Sequence, residues 1–196
     1  MERLLMPIKG GVITQHFLDK SAADDSHIHG ALDFGAPIGT PILAPEDGYI
    51  FGYQSIRSAD GLFWLDLPKV HEFEKFAFSN YFYDMYGGVT VLESLDGTRT
   101  HLFCHSYANQ ILNKIFESKN KYYVEERENK RFPLFALYTE KIKIKKGSVI
   151  GYVGAAGKCI PAGPQGAHLH WEIHPGKNVW KTYNERINPE LLLEEK

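Results

Sequence analysis

The sequence predicts a mainly β protein built as an antiparallel sheet or sandwich, and three observations carry that expectation. Eighteen glycines and ten prolines punctuate the chain into short segments. The segments between them are rich in β-branched and aromatic residues, with aromatics at 13% overall, a composition that suits pleated, half-buried surfaces. Asp96-Gly97 lies between two such segments and reads as a tight hairpin turn.

Taken in order, Gly11 to Phe17 holds Val12, Ile13 and Thr14 and follows a glycine pair. Ala31 to Phe34, Pro41 to Ala44 and Gly48 to Tyr53 are each bounded by glycine or proline. Val89 to Leu95 and Thr98 to Cys104 flank the Asp96-Gly97 turn. Lys141 to Lys145, Val149 to Val153 and Ala167 to His174 complete the strand set. Two stretches break the rhythm and read as partly helical insertions, residues 55–86 and 107–131. In the first, Phe73, Phe76, Ala77 and Tyr81 have partly helical spacing; in the second, Tyr107, Ile111, Leu112, Ile115 and Phe116 share one helical face. Lys119 to Lys130 is charged and reads as an exposed connection. At the end, Asn188 and Pro189 read as the N-cap and first turn of a short helix.

The 196 residues, 1–196, fit a single domain carrying both insertions, because neither insertion is apolar enough to support a core of its own. A formal net charge of −2 does not point to nucleic acid. No apolar run approaches the roughly 18 residues of a membrane span, and the first residues lack the apolar stretch of a signal peptide. Cys104 and Cys159 are too few for a disulfide framework and are expected as free thiols.

Nine histidines concentrate the chemistry. In a strand, His168 and His170 face the same way and Leu169 the other, which sets two imidazoles about 7 Å apart. One of such a pair can bind a metal while the other reaches its water. His29 and Asp33 are spaced for two ligands on a turn entering a strand or on one helix face. Catalytic zinc accepts imidazole and carboxylate donors, three from the protein with a fourth position for water, and His29, Asp33 and His170 are a set of that type. Each piece alone has a plainer reading, since a single histidine is more often a surface or core residue than a ligand. His27 competes with His29 but lacks its spacing to Asp33. His101 lies at an even spacing from His105, and so on the same face of a continuous strand, whereas His16, His71 and His174 read as ordinary. Glu172 follows His170 by two and is placed to orient a ligand or to face a groove rim; Trp171 should face the core.

Several segments together resemble the lysostaphin-type (LytM-like) zinc peptidases, which cleave peptide crosslinks of bacterial cell walls. The run from His29-Gly30-Ala31-Leu32-Asp33 to Gly48 is similar to their first metal motif and following strand. Thr100-His101-Leu102-Phe103-Cys104-His105 resembles their middle histidine motif, Lys146 to Gly157 their glycine-punctuated strand and turn, and His168-Leu169-His170-Trp171-Glu172 their final motif. The resemblance implies an antiparallel fold of the duplicated-hybrid-motif type with a substrate groove. It implies one Zn2+ per chain held by His29, Asp33 and His170, with His105 and His168 as catalytic, non-ligating histidines. It implies an endopeptidase acting on peptidoglycan crosslinks or stem peptides, while charge and the lack of long apolar runs leave no nucleic-acid or membrane partner expected. Ala31 stands where the family commonly has glycine, and the Lys158 to Gly166 loop is longer than usual; neither removes a ligand. A leaderless wall hydrolase fits a phage-encoded lysin, carried on the virion or released at host lysis. The alternative is a non-enzymatic wall-binding or activator module on the same fold, distinguished by loss of ligands. A lipoyl or biotinyl carrier would need a lysine in a hairpin turn, which Asp96-Gly97 does not offer.

Overall fold

The computed structural model describes residues 3–21, 24–54, 87–108, 121–123, 126–127, 130–131, 135–137, 141–155, 157–177 and 183–194. The strands in chain order are β1 (Val12–Gln15), β2 (Lys20–Ser21), β3 (Asp24–Ile28), β4 (Leu32–Gly35), β5 (Pro41–Leu43), β6 (Gly48–Gln54), β7 (Val89–Ser94) and β8 (Arg99–Cys104). They continue with β9 (Ser106–Ala108), β10 (Lys121–Tyr123), β11 (Glu126–Arg127), β12 (Lys130–Arg131), β13 (Phe135–Leu137), β14 (Ile142–Ile144), β15 (Val149–Val153) and β16 (His168–Pro175). The main sheet has seven strands in the order β1-β4-β16-β8-β7-β6-β14, every neighbouring pair antiparallel. A second sheet orders β5-β15-β9, and β2-β3, β10-β13 and β11-β12 form two-stranded pairs.

The antiparallel β fold is therefore as expected, and nine expected strands recur with shifts of a residue or two at their ends. The β7–β8 hairpin turns on Gly97 at φ 67, a backbone region that glycine enters without a Cβ clash. Asp96 Oδ1 accepts from Ser94 Oγ and from the Thr98 amide, fixing the turn. Asn188 caps the final 3-10 turn, Pro189–Leu192, by accepting from the Glu190 amide at 2.9 Å.

One expectation is corrected. Tyr107 lies not on a helical face but in β9, which pairs with β15 through Tyr107↔Tyr152 and Ala108↔Gly151. Pairing with an existing strand overrides local spacing. The charged stretch expected as a connection contributes β10, β11 and part of β12. Residues 55–86 and 109–120, the rest of the expected helical spacings, lie outside the described residues. No helix among the described residues is long and apolar enough to cross a membrane.

Strand alternation sorts β16 into two faces. Leu169, Trp171 and Ile173 enter the core, all 0% exposed, where they join Leu32, Phe34, Ile42, Ile50, Leu92 and Phe103. Trp171 stacks on Phe103 at 6.3 Å and on His101 at 5.8 Å. His168, His170, Glu172 and His174 take the other face. Deleting a side chain such as Trp171 from this core costs about 3–5 kcal/mol.

Candidate metal centre

β16 lies between β4 and β8, and register decides what meets. His170 is directly opposite Asp33 on one side and Cys104 on the other. In β4, Leu32 and Phe34 are buried in the core, so Asp33 between them faces the His170 side. His29 precedes β4 and is held by its own backbone, donating to the Asp19 carbonyl at 2.8 Å and accepting from the Leu18 amide at 2.8 Å.

Three donor atoms converge. His29 Nε2 is 3.2 Å from His170 Nδ1 and 3.1 Å from Asp33 Oδ1. His170 Nδ1 is 2.9 Å from the same Oδ1. These are the expected ligands, and His29, Asp33 and His170 form the group of the described residues able to hold a metal ion.

The other ring nitrogens fix the tautomers. His29 Nδ1 faces the His16 carbonyl at 3.1 Å, which can only accept, so Nδ1 carries the proton and Nε2 presents a lone pair. His170 Nε2 faces Glu172 Oε1 at 3.0 Å, a buried carboxylate, so in the neutral ring Nδ1 likewise presents its lone pair. A carbonyl or carboxylate that holds the far ring nitrogen in this way is how proteins aim metal-binding imidazoles. Asp33 Oδ1 is buried and has no partner in hydrogen-bond geometry, although both imidazoles approach it. Two lone pairs and a carboxylate oxygen, mutually about 3 Å apart, repel one another unless a cation sits among them. Zinc bonds of about 2.0–2.1 Å place tetrahedral donors roughly 3.3–3.4 Å apart, close to the spacing found, so these residues fit the ion.

The electrostatics agree. Burial alone would raise the Asp33 carboxyl, but the neighbouring His170 and His29 imidazoles hold it well below the usual carboxylate range. Burial alone would lower His170, but Asp33 and Glu172 outweigh it and bring His170 up to about 9. The position therefore attracts positive charge, a proton or a metal.

The catalytic candidates lie beside it. His168 Nδ1 donates to the Gly166 carbonyl at 2.7 Å, leaving Nε2 as acceptor, 3.7 Å from Asp33 Oδ2. The His105 ring centroid is 4.5 Å from that of His168 and 5.9 Å from that of His170. His105 reaches this face by a backbone turn: it follows the last residue of β8 and has φ 57. All five expected site residues are thus brought together.

His101, expected by even spacing to share a face with His105, does not. It is 0% exposed on the core face, where it receives the Trp171 Nε1 proton at Nδ1, 3.2 Å away, and donates from Nε2 to Glu46 Oε1 at 2.7 Å. Even spacing implies a shared face only along a continuous strand, and the turn at His105 ends β8. Glu46 also pairs with Arg99 at 2.6 and 2.9 Å. Glu46 and Arg186 escape a reading of the sequence, because each meets its partner only through distant strand pairing. Glu172, considered for orienting a ligand or for facing a groove rim, is 1% exposed and accepts from His170 Nε2 at 3.0 Å. Trp171 faces the core as expected. Cys104 and Cys159 are free thiols, both buried. His27 lies in β3, its side chain outside the described residues; His71 lies outside them entirely.

The catalytic domain of the antimicrobial peptidase lysostaphin from Staphylococcus simulans superposes on this chain with a TM-score of 0.51 at 16% identity, covering 93% of this chain and 91% of that domain. The chain has the lysostaphin catalytic fold. The solution structure of whole lysostaphin gives a TM-score of 0.53 at 16% identity, over 96% of this chain and 52% of that one. A second structure of whole lysostaphin gives 0.50 at 16% identity, over 93% and 49%. The chain thus spans about half the length of whole lysostaphin and most of its catalytic domain. No protein-family model matches the chain, and no curated protein matches it in sequence. At this identity the likeness to lysostaphin is one of fold, and it agrees with the motif resemblance in the sequence.

Proposed function

We propose that this chain is a zinc-dependent peptidase that hydrolyses crosslink or stem peptides of bacterial peptidoglycan. The observation that carries the reading is the convergence of His29 Nε2, Asp33 Oδ1 and His170 Nδ1 within 3.2 Å of one another, with His168 and His105 at the edge of the same cluster. Support for the substrate class comes from the fold shared with lysostaphin, a peptidase described as antimicrobial.

Zinc held by these three residues would supply Lewis-acid polarisation of a peptide carbonyl and a water acidic enough to react near neutral pH. The remaining work belongs to the chain. His168 has its Nδ1 proton committed to Gly166, so its Nε2 is the acceptor for the proton released by the attacking water. His105, in contact with the His168 ring, is placed to hydrogen-bond the oxygen on which negative charge develops. Asp33 supplies the anionic ligand, and Glu172 accepts the His170 Nε2 proton. With all five residues present, the non-enzymatic module has no observation in its favour.

The test is zinc content measured together with hydrolysis of purified peptidoglycan. One zinc per chain, and new amino ends that vanish with chelator and return with zinc, are expected. Folded protein that binds no zinc and opens no bond on several wall types would overturn the proposal.

A further inference from the structure

Beyond the ligands, one buried ion pair ties together the two segments that carry them. Glu172 is 1% exposed. Its Oε1 accepts from His170 Nε2 at 3.0 Å and meets Arg186 Nη1 at 2.7 Å, while its Oε2 is 2.7 Å from His174 Nε2. The same Arg186 Nη1 donates to the Gly30 carbonyl at 3.2 Å, one residue after His29. Backbone pairing places Arg186 there. β4 pairs with β16 only as far as Trp171. Beyond that point the chain end takes over the edge, with Ile187 opposite Ile173 and its amide bonded to the Ile173 carbonyl at 2.9 Å. Ile187 packs against the core, so its neighbour Arg186 falls on the opposite face, with Glu172 and His170.

We propose that Arg186 is a positioning residue for the metal centre, clamping the Glu172 carboxylate against His170 and tying the His29–Gly30 turn to β16. This rests on the metal reading above. The physical reason is orientation. Glu172 serves His170 only while its carboxylate stays where Nε2 can donate to it. In that arrangement the His170 Nδ1 lone pair faces His29 and Asp33. Arg186 fixes the carboxylate by charge and fixes Gly30 by a hydrogen bond, so both ligand-bearing segments are referenced to one nitrogen. Since that single nitrogen makes both contacts, a lysine ammonium can substitute for it, whereas an uncharged side chain cannot.

The experiment titrates metal-free wild-type, Arg186→Lys, Arg186→Met and Arg186→Met/Glu172→Met proteins with Zn2+ against a chromogenic chelator, and melts each metal-free form in parallel. Loss of an outer-shell partner typically weakens metal affinity by about 10–100-fold, and that loss is expected for Arg186→Met, with most of the affinity restored in Arg186→Lys. The double variant removes both charges and so avoids an unpaired buried carboxylate. It is expected to fold even where the single variant fails, and to bind zinc weakly because His170 has lost its acceptor. In zinc-loaded protein with 15N-labelled histidine, the His170 Nε2 proton should be protected from exchange in wild type and exposed in Arg186→Met. Wild-type affinity in Arg186→Met, or in the double variant where the single variant does not fold, even with a lowered melting temperature, would reduce Arg186 to a structural role and overturn the proposal. A wild-type chain that takes up no zinc gives a different result, which removes the metal reading itself.

Discussion

His105 and His168 bring their rings to 4.5 Å across the edge of the site, and His105 does so from a backbone at φ 57. A non-glycine residue in that region carries a steric cost of about 1–2 kcal/mol, retained here at the point where a core strand hands its next side chain to the site face. Such strain at a functional position marks a residue held there by its surroundings. Replacing His105 with glycine relieves the backbone and removes the imidazole. The expected His105→Gly protein binds zinc, unfolds in urea within about 1 kcal/mol of wild type, and loses about 10²–10⁴ in turnover. Peptidoglycan amine release at the wild-type rate would exclude His105 from catalysis.

Much of this was legible in the sequence, and the reasons are local. Alternation along His168-Leu169-His170-Trp171 puts two imidazoles on one face and two apolar residues in the core, and the structure keeps both sets there. The His29 to Asp33 spacing survives because one residue sits on a turn and the other in the strand it enters. What sequence could not supply is pairing between distant segments. Tyr107 has helical spacing with its successors yet joins β15. Arg186 carries no local signal, because its partnership with Glu172 arises from the chain end occupying the edge that β4 vacates. His101 and His105 differ in face for a reason that no spacing shows, a backbone φ.

Gly166 is the second position where geometry dictates an outcome. A Cβ there would overlap the Pro161 carbonyl oxygen and crowd its carbon, both backbone atoms that cannot swing aside. The Gly166 carbonyl is also the acceptor for His168 Nδ1 at 2.7 Å. Gly166→Ala must shift the Pro161–Gly166 loop, at a cost of about 1–3 kcal/mol, and it moves the acceptor that fixes the His168 tautomer. Lowered thermal stability together with lost turnover, at unchanged zinc content, is the expected result. Turnover unchanged in a destabilised variant would show that His168 does not depend on this acceptor.

The core network of His101, Glu46 and Arg99 contributes to the acid stability. Burial holds His101 below 6.5, against the pull of Glu46. The unfolded chain therefore binds more protons below pH 6.5, and stability falls as pH drops through that value. Burial favours neutral Glu46, but bonds from Arg99 and His101 bring it down from 4.5 to about 2. Its contribution is complete above pH 4.5 and is lost as pH falls towards 2. Glu46→Gln leaves Arg99 buried without its carboxylate, at about 3–5 kcal/mol near neutrality. The gap to wild type should narrow as pH falls below 4.5. Urea unfolding across pH 3–7 with chelator present, which removes metal-linked effects, reads this directly; a gap independent of pH would place the carboxylate outside the acid transition.

Metal removal should be a stability event as well as a loss of activity. Without a metal, the buried Asp33 Oδ1 faces two imidazole nitrogens at 3.1 and 2.9 Å, and only a proton on His170 can stand in for the ion. A ligand that binds only the folded chain stabilises it by RT ln(1 + [L]/Kd), about 2.7 kcal/mol at a hundredfold excess over Kd. Chelation should lower the melting temperature of wild type, and added zinc should restore it in proportion to the logarithm of its free concentration. Asp33→Ala lacks the anionic ligand, so zinc should leave its melting temperature unmoved. His168→Ala keeps all three ligands and should respond to zinc as wild type does while turning over poorly. A zinc-dependent shift of equal size in Asp33→Ala would mean that the ion binds somewhere other than among His29, Asp33 and His170.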